Sequence, residues 1–350
     1  LNTYGALSVT ISSATDHSRA GTVLARARDA CEPVLRETVG ALPEPLRRMA
    51  GYHFGWWDAD GMAARADSGK SFRAALVIGA AEACGLRLRG AVHVAAAVEL
   101  VHNFSLIHDD VMDADPTRRG RPTVWKVWGI ADAILLGETL HALAMPVLIS
   151  TLPKVMAGAA VTRLADAVVE MCAGQHEDTA FETRKQVSVE DYARMATGKT
   201  AALMGVACAL GALRAGADTQ TVSAMDTFGR ELGLAFQFAD DLIGIWGDPT
   251  VTGKPVGNDL ARRKRSLPVV SALASECDAA VELAALYASE TPMTTADVIR
   301  ATSLVEAAGG RRYAQQQAER RALVAIETLH GRSDVEDLVA LASTVAHRNR

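Results

Sequence analysis

Long segments rich in Ala, Leu and Val recur from residue 21 onward with apolar residues at helical spacing, and none keeps a period of two. They cover 73–84, 92–107, 131–150, 157–181, 189–213, 221–245, 267–288 and 310–330. Between them stand residues that end helices: Gly85, the loop from Asp115-Pro116 to Arg121-Pro122, Pro153, Gly216 and the 247–255 loop. A chain with this pattern has no sheet to build. It must bury its apolar stripes helix against helix, and alanine lets those helices approach closely. No linker, repeat or charge block divides it. The expectation is an all-α fold, a single-domain helical bundle over residues 20–350. A flexible tail over 1–19, rich in Ser, Thr, Gly and Ala, is expected before it.

At 350 residues the chain can enclose a sizeable core, and 49% hydrophobic with 22% charged residues excludes global disorder. A formal net charge of -5 argues against a nucleic-acid partner. The longest unbroken apolar run, 201–213, is shorter than the roughly 18 to 20 residues that span a bilayer, so no transmembrane segment is expected. No basic stretch followed by an apolar one opens the sequence, and the five cysteines (Cys31, Cys84, Cys172, Cys208, Cys277) lack paired spacing. Reduced thiols and a cytoplasmic location follow as expectations.

Two acidic clusters carry the chemistry. His108-Asp109-Asp110-Val111-Met112-Asp113 closes the apolar helix that starts near residue 92. Helical spacings of three and four place these aspartates close enough to repel. Magnesium relieves such repulsion, because it prefers hard oxygen ligands and combines one or two carboxylates with phosphate oxygens. Arg118-Arg119-Gly120-Arg121 follows within a short loop, and a guanidinium fork suits phosphate. The second cluster, Phe236-Gln237-Phe238-Ala239-Asp240-Asp241, ends another apolar helix; Lys254, Asp259 and Arg262-Arg263-Lys264-Arg265 follow it. Facing each other in a bundle, the two clusters would hold magnesium with a diphosphate between them.

In these residues the chain resembles the trans-isoprenyl diphosphate synthases (polyprenyl synthetases), especially bacterial geranylgeranyl diphosphate synthases. The resemblance runs from about Gly69 to the C-terminal helices. It is carried by Gly69-Lys70 with Arg73, His102 with Leu106-Ile107-His108-Asp109-Asp110, Arg118-Arg119-Gly120, Gly174-Gln175, Lys199-Thr200, Phe236-Gln237, Asp240-Asp241, Gly253-Lys254, and Lys264 with Leu267-Pro268. It implies an isoprenoid-synthase-type bundle around a central cavity, usually a homodimer. It also implies a prenyltransferase that joins an allylic diphosphate to isopentenyl diphosphate with Mg2+, three ions per site with bound diphosphate. By resemblance Asp109, Asp110, Asp113, Asp240 and Asp241 are the metal set. Arg118, Lys199, Thr200, Gln237, Lys254 and Lys264 match the allylic diphosphate site, and Lys70, Arg73, His102 and Arg119 the isopentenyl diphosphate site. Asp109, Asp113, Arg118, Lys199, Asp240 and Lys254 are the expected catalytic residues.

Phe104, five positions before Asp109, and the small Ser105 match the pattern of C20, geranylgeranyl-type makers, with Phe104 as the floor of an apolar shaft. Three positions depart from the family pattern. Gly244 stands where the second motif often has a third aspartate, with Asp248 nearby to act through water; Ser68 and Ala74 replace a glycine and a proline. Trp56, Trp57, Trp125 and Trp128 read as packing residues, and His53, His93, His141 and His176 as structural ones. The alternatives are a class I terpene cyclase on the same scaffold and a non-catalytic partner subunit. Lys70, Arg73, His102 and Arg119 would be superfluous in a cyclase, and both acidic pairs superfluous in a silent subunit.

Overall fold

The computed structural model describes residues 13–64, 66, 69–184, 186–248 and 256–346. Ser68 and Lys254 lie outside the described residues. Helices dominate: α1 (Ser13–Gly40), α2 (Leu46–His53), α3 (Phe72–Ala83), α4 (Leu88–Met112), α5 (Val124–Trp128), α6 (Ile130–Ile149), α7 (Lys154–Phe181) and α8 (Val189–Ala196). A π-turn, Thr197–Ala201, joins α8 to α9 (Ala202–Arg214), and α10 (Thr219–Trp246) follows. Beyond it lie α11 (Asn258–Ala261), α12 (Leu267–Leu273), α13 (Asp278–Ala288), α14 (Thr295–Ala307), α15 (Gly310–Glu327) and α16 (Glu336–Ala346).

The centre is built where small residues run together. α3 buries every residue from Ala74 to Ala81, and α4 buries Ala91, Ala95, Ala96 and Ala97. Both pack on α9, whose residues Ala202 to Ala212 are all buried, and α9 packs along α10. With α1, α6 and α7 these helices share one continuous apolar core. The C-terminal ends of α4 and α10, which carry the two acidic clusters, are thereby fixed on rigid elements.

Four expectations need correction. α1 starts at Ser13, inside the stretch expected to be a tail, and it is docked there: Arg19 Nε donates to Asp337 of α16 at 2.6 Å and Ala20 is buried. Residues 1–12 lie outside the described residues. The stretch 267–288 is two helices, because Ser275 folds its hydroxyl back onto the Ala272 carbonyl at 2.8 Å and Cys277 turns extended before Asp278. A two-residue hairpin pairs Thr117–Arg118 with Arg121–Pro122. Its turn residues Arg119 and Gly120 both have positive φ (52° and 72°), the form that suits the twist of a tight hairpin. Finally, Leu88–Met112, Ile130–Ile149 and Val189–Arg214 are long and apolar enough to cross a membrane by length and composition. Unbroken apolar runs miss them, because each window tolerates a charge or two and still averages a mean hydropathy of 1.4 to 1.5. The apolar windows of the first and third are 67% and 83% buried in the bundle; that of α6 is only 39% buried.

Candidate active site

At the end of α4, neighbouring aspartates part company because successive helical residues point about 100° apart. Asp110 is buried, and Arg118 Nε and Nη2 both reach its Oδ1 at 2.8 Å. Its carboxylate anchors Arg118 across the hairpin. Asp109 and Asp113 lie one turn apart on a shared face. Burial pushes the Asp109 carboxyl up to about 6; Asp113 adds to this, while Lys199 and Arg118 work against it.

α10 repeats the division. Asp241 is buried and accepts hydrogen bonds from Tyr192 Oη, from Leu267 N at 2.8 Å and from Gln237 Nε2 at 3.1 Å. It ties α8, α10 and α12 together. Gln237 Oε1 in turn accepts from Thr200 Oγ1 at 2.6 Å, which fixes both ends of the amide. Asp240, beside it, is only partly buried.

The two walls face a common space. Arg73 lies in the field of both Asp240 and Asp109. Lys264 lies in the field of Asp178, Asp259, Asp241 and Asp113; burial lowers its pKa, but these carboxylates win and raise it. Arg262 spans the mouth, donating to Asp115 Oδ1 at 2.7 Å and to the Asp113 carbonyl at 2.6 Å.

Lys199 owes its place to close packing. A Cβ on Gly174 would stand 2.1 Å from the Lys199 amide nitrogen, so glycine there lets α7 press against the π-turn. From that turn Lys199 Nζ donates to Asp178 at 2.5 Å. Burial opposes ionisation of Asp178, yet Lys199 and Lys264 hold its carboxyl below the usual range.

The third group of residues gathers around α3 and the hairpin. Arg73 Nη1 donates to His102 Nε2 at 3.1 Å. Burial together with Arg73, Arg119 and Arg118 drives the His102 pKa far down, so the ring is neutral and can accept. Arg73 Nε and His102 Nδ1 are buried with no hydrogen-bond partner among the described residues. The Arg119 guanidinium lies against Gly69, where a Cβ would come within 2.5 Å of Nη2, and Gly69 has φ 88°. This brings the Lys70 loop beside the hairpin. A cleft here is lined by Tyr52, His53, Asp110, Arg118, Arg119 and Arg121. Arg121 is spent on structure, bonding the Tyr52 and Trp57 carbonyls at 3.0 Å each.

Sequence reasoning missed several participants. Asp178 lies one turn beyond Gln175 on α7, and that spacing could have found it. Asp259 had no visible partner in sequence. A Cβ at Gly244 would stand 2.1 Å from Asp259 Oδ2, so the bare Cα of Gly244 is the seat of the Asp259 carboxylate. His53, expected to be merely structural, lines the cleft and meets Asn103 Oδ1 at 3.0 Å; burial and the three hairpin arginines push it down to about 3. Phe104 is 6% exposed, stacked on His141 at 5.0 Å and edge-on to His108 at 4.9 Å. Ser105 Oγ bonds back to the His102 carbonyl at 2.8 Å.

Among the described residues no three Asp, Glu, His or Cys groups converge tightly enough to hold an ion unaided. The donor set still fits magnesium: hard carboxylates on two facing walls, ringed by cations that suit the phosphate oxygens magnesium also takes. An all-α bundle holding this site is the scaffold of an enzyme that works on diphosphates.

The comparisons agree with that class. A family profile described as Polyprenyl synthetase matches residues 62–305. A geranylgeranyl diphosphate synthase of Mycobacterium tuberculosis is 56% identical over 326 residues, covering 93% of each chain. A (2E,6E)-farnesyl diphosphate synthase of Mycobacterium bovis is 44% identical over 309 residues, 87% of this chain and 86% of that one. The crystal structure of a polyprenyl synthetase from Streptomyces coelicolor A3(2) superposes with a TM-score of 0.89 at 43% identity, covering 93% of this chain and 98% of that one. The chain belongs to the polyprenyl synthetase family. It is a prenyltransferase of the trans-prenyl diphosphate synthase type, in a family that uses isopentenyl and allylic diphosphates and depends on Mg2+. The cyclase and silent-subunit alternatives gain no support from these relatives.

Proposed function

We propose that this chain extends an allylic diphosphate with isopentenyl diphosphate to a linear C20 product, geranylgeranyl diphosphate. The observation that carries the reading is that cations link the two acidic ends: Arg73 lies in the field of both Asp240 and Asp109, and Lys264 in that of both Asp241 and Asp113. The 56% identity to a geranylgeranyl synthase and the bulky Phe104 support the product length.

In this reading Asp109 and Asp113 from α4 and Asp240 from α10 would hold Mg2+, three ions with a bound diphosphate. When bound, the metal neutralises charge growing on the departing diphosphate. Arg118, braced by Asp110, and Lys199, braced by Asp178, steady the allylic diphosphate with Lys264 and Thr200. Gln237 acts by positioning Thr200 and Asp241. Lys254 keeps its expected role as a further cation. Lys70, Arg73, His102 and Arg119 hold isopentenyl diphosphate, and the unpartnered Arg73 Nε and His102 Nδ1 are donors awaiting its oxygens.

The allylic C–O bond then breaks, with its electron pair leaving on diphosphate, and preorganised cations are worth most where that charge develops. The isopentenyl double bond attacks the allylic carbon, a C–C bond forms, and the released diphosphate takes the proton that restores the alkene. An apolar shaft floored by Phe104 receives the growing chain and keeps water from the cation.

The reading includes a homodimer in the cytoplasm. α6 leaves Ile130, Ile134, Leu135 and Ile149 between 42% and 58% exposed, an apolar face suited to a second copy. All five cysteines are free thiols, as a reducing compartment would keep them.

The test is incubation with Mg2+ and dimethylallyl, geranyl or farnesyl diphosphate, with and without isopentenyl diphosphate, followed by product mass. A C20 diphosphate formed only with isopentenyl diphosphate is expected. A hydrocarbon formed without it would make the chain a cyclase, and inert substrates would make it a silent subunit. Light scattering on the full chain reads the oligomeric state.

A further inference from the structure

Helix α3, which starts the proposed isopentenyl diphosphate site, has no cap of its own. A helix leaves its first N–H groups without intrahelical acceptors, and an N-cap serine normally satisfies one of them. Here the N-cap Ser71 sits in the left-handed region at φ 49°, and its hydroxyl makes no capping bond. The amide of Ala74, third in the helix, instead donates to Glu99 Oε1 at 2.9 Å. Glu99 belongs to α4 and is 6% exposed. A carboxylate from a neighbouring helix therefore does the work of the missing cap, at the end of α3 where the helix dipole favours negative charge.

The same side chain faces two cations. Burial raises the Glu99 pKa, while the Ala74 amide, Arg73 and Arg119 favour its carboxylate form, and the imidazoles of His102 and His53 are held neutral. Glu99 is also anchored: its carbonyl accepts from Asn103 Nδ2 at 2.7 Å, and Asn103 Oδ1 meets His53 Nε2 at 3.0 Å. The bond to Ala74 exists only because position 74 has an N–H. Proline, which the family resemblance expects there, has none.

We infer that Glu99 is a positioning residue for isopentenyl diphosphate: by capping α3 through Ala74 and balancing Arg73 and Arg119, it sets where Lys70 and Arg73 meet the substrate. This rests on the assignment of that substrate to Lys70, Arg73, His102 and Arg119. It predicts an effect confined to one of two substrates. A residue that merely supports the fold would shift both.

Steady-state KM values for isopentenyl diphosphate and for farnesyl diphosphate, measured separately on the full chain, decide the matter. Glu99→Leu removes cap and charge and is expected to raise KM for isopentenyl diphosphate about tenfold, with KM for farnesyl diphosphate within about twofold. Glu99→Gln keeps the shape and an acceptor but loses the charge, and is expected to give a smaller rise of the same selectivity. Ala74→Pro deletes the donor within the first turn of the helix, where that N–H has no intrahelical acceptor to lose. It is expected to raise the same KM about threefold alone and to add nothing in the Glu99→Leu background, since both act on one contact. Equal changes in both KM values, or no change with Glu99→Gln and Ala74→Pro, would overturn the inference. A wild-type chain that does not consume isopentenyl diphosphate at all would overturn the functional proposal instead.

Discussion

The acidic ends of α4 and α10 look alike in sequence and are built differently. Each has one buried aspartate serving as an internal anchor, Asp110 for Arg118 and Asp241 for Tyr192, Gln237 and Leu267. Each has a neighbour that addresses the common space, Asp109 and Asp240. The α4 wall then adds Asp113 from the next turn of the same helix. The α10 wall has Gly244 in that place, and the Asp259 carboxylate from α11 sits over it. One wall is built on a single helix. The other is assembled from two segments, α10 and α11.

The largest effect should come from the residues in which the walls agree. Asp109→Asn and Asp240→Asn each remove charge facing the departing diphosphate, where several kcal/mol are at stake, and kcat should fall by about 10²–10³-fold or more. Rapid-quench turnover with saturating Mg2+ reads this. If one of the pair costs less than tenfold, the walls are not equivalent and the site is one-sided. The buried partners should fail differently. Asp241→Ala strands Tyr192 Oη and the Leu267 amide, and unfolding in urea should show a loss of about 2–4 kcal/mol. An Asp241→Ala variant as stable as the parent would mean that these bonds do not hold α8, α10 and α12 together.

Much of this was legible in sequence, and the boundary has a physical cause. Helical periodicity gave the bundle because each apolar stripe in 73–84, 92–107 or 221–245 is a local property. Acidic pairs followed by arginines and lysines marked the two cluster ends for the same reason. Which aspartate of a pair turns inward is not local. It depends on Arg118 across the hairpin, on Tyr192 49 positions away and on Leu267 26 positions away. Nor could Asp259 be matched to Gly244, because the two stand 15 positions apart and only the fold sets the Asp259 carboxylate over the Gly244 Cα. Glu99 likewise gains a role only through the fold, which brings the Ala74 amide, 25 positions away, to its carboxylate.

The comparison can be sharpened by exchanging the two ways of supplying a carboxylate. Gly244→Asp alone places a Cβ 2.1 Å from the present position of Asp259 Oδ2, so that carboxylate must leave its seat, and a fall of about tenfold in kcat is expected. Adding Asp259→Gly vacates the space and moves the carboxylate onto α10, the arrangement α4 already uses with Asp113. Most of the lost activity should return, with the Mg2+ concentration for half-maximal rate close to the parent's. A double variant no better than Gly244→Asp would mean that Asp259 matters for more than its carboxylate.

The smallest effect on rate should come with the clearest change in product. Phe104 and Ala235 occupy the same place relative to their motifs, five residues before Asp109 and Asp240, and both are buried. Only Phe104 is large, and its ring lies between His108 and His141. If the growing chain runs beside α4 alone, Phe104→Ala should let it extend by one or two isoprene units while turnover stays within about threefold. Some stability will be lost, because deleting a buried phenyl costs about 3–5 kcal/mol. Ala235→Val adds bulk at the matching site of α10 and should leave product length at C20 while lowering stability by about 1–3 kcal/mol. Chromatography of products made from labelled isopentenyl diphosphate separates the two. A C20 product from Phe104→Ala removes Phe104 as the floor, whereas shorter products from Ala235→Val would move the shaft to the wall that two segments share.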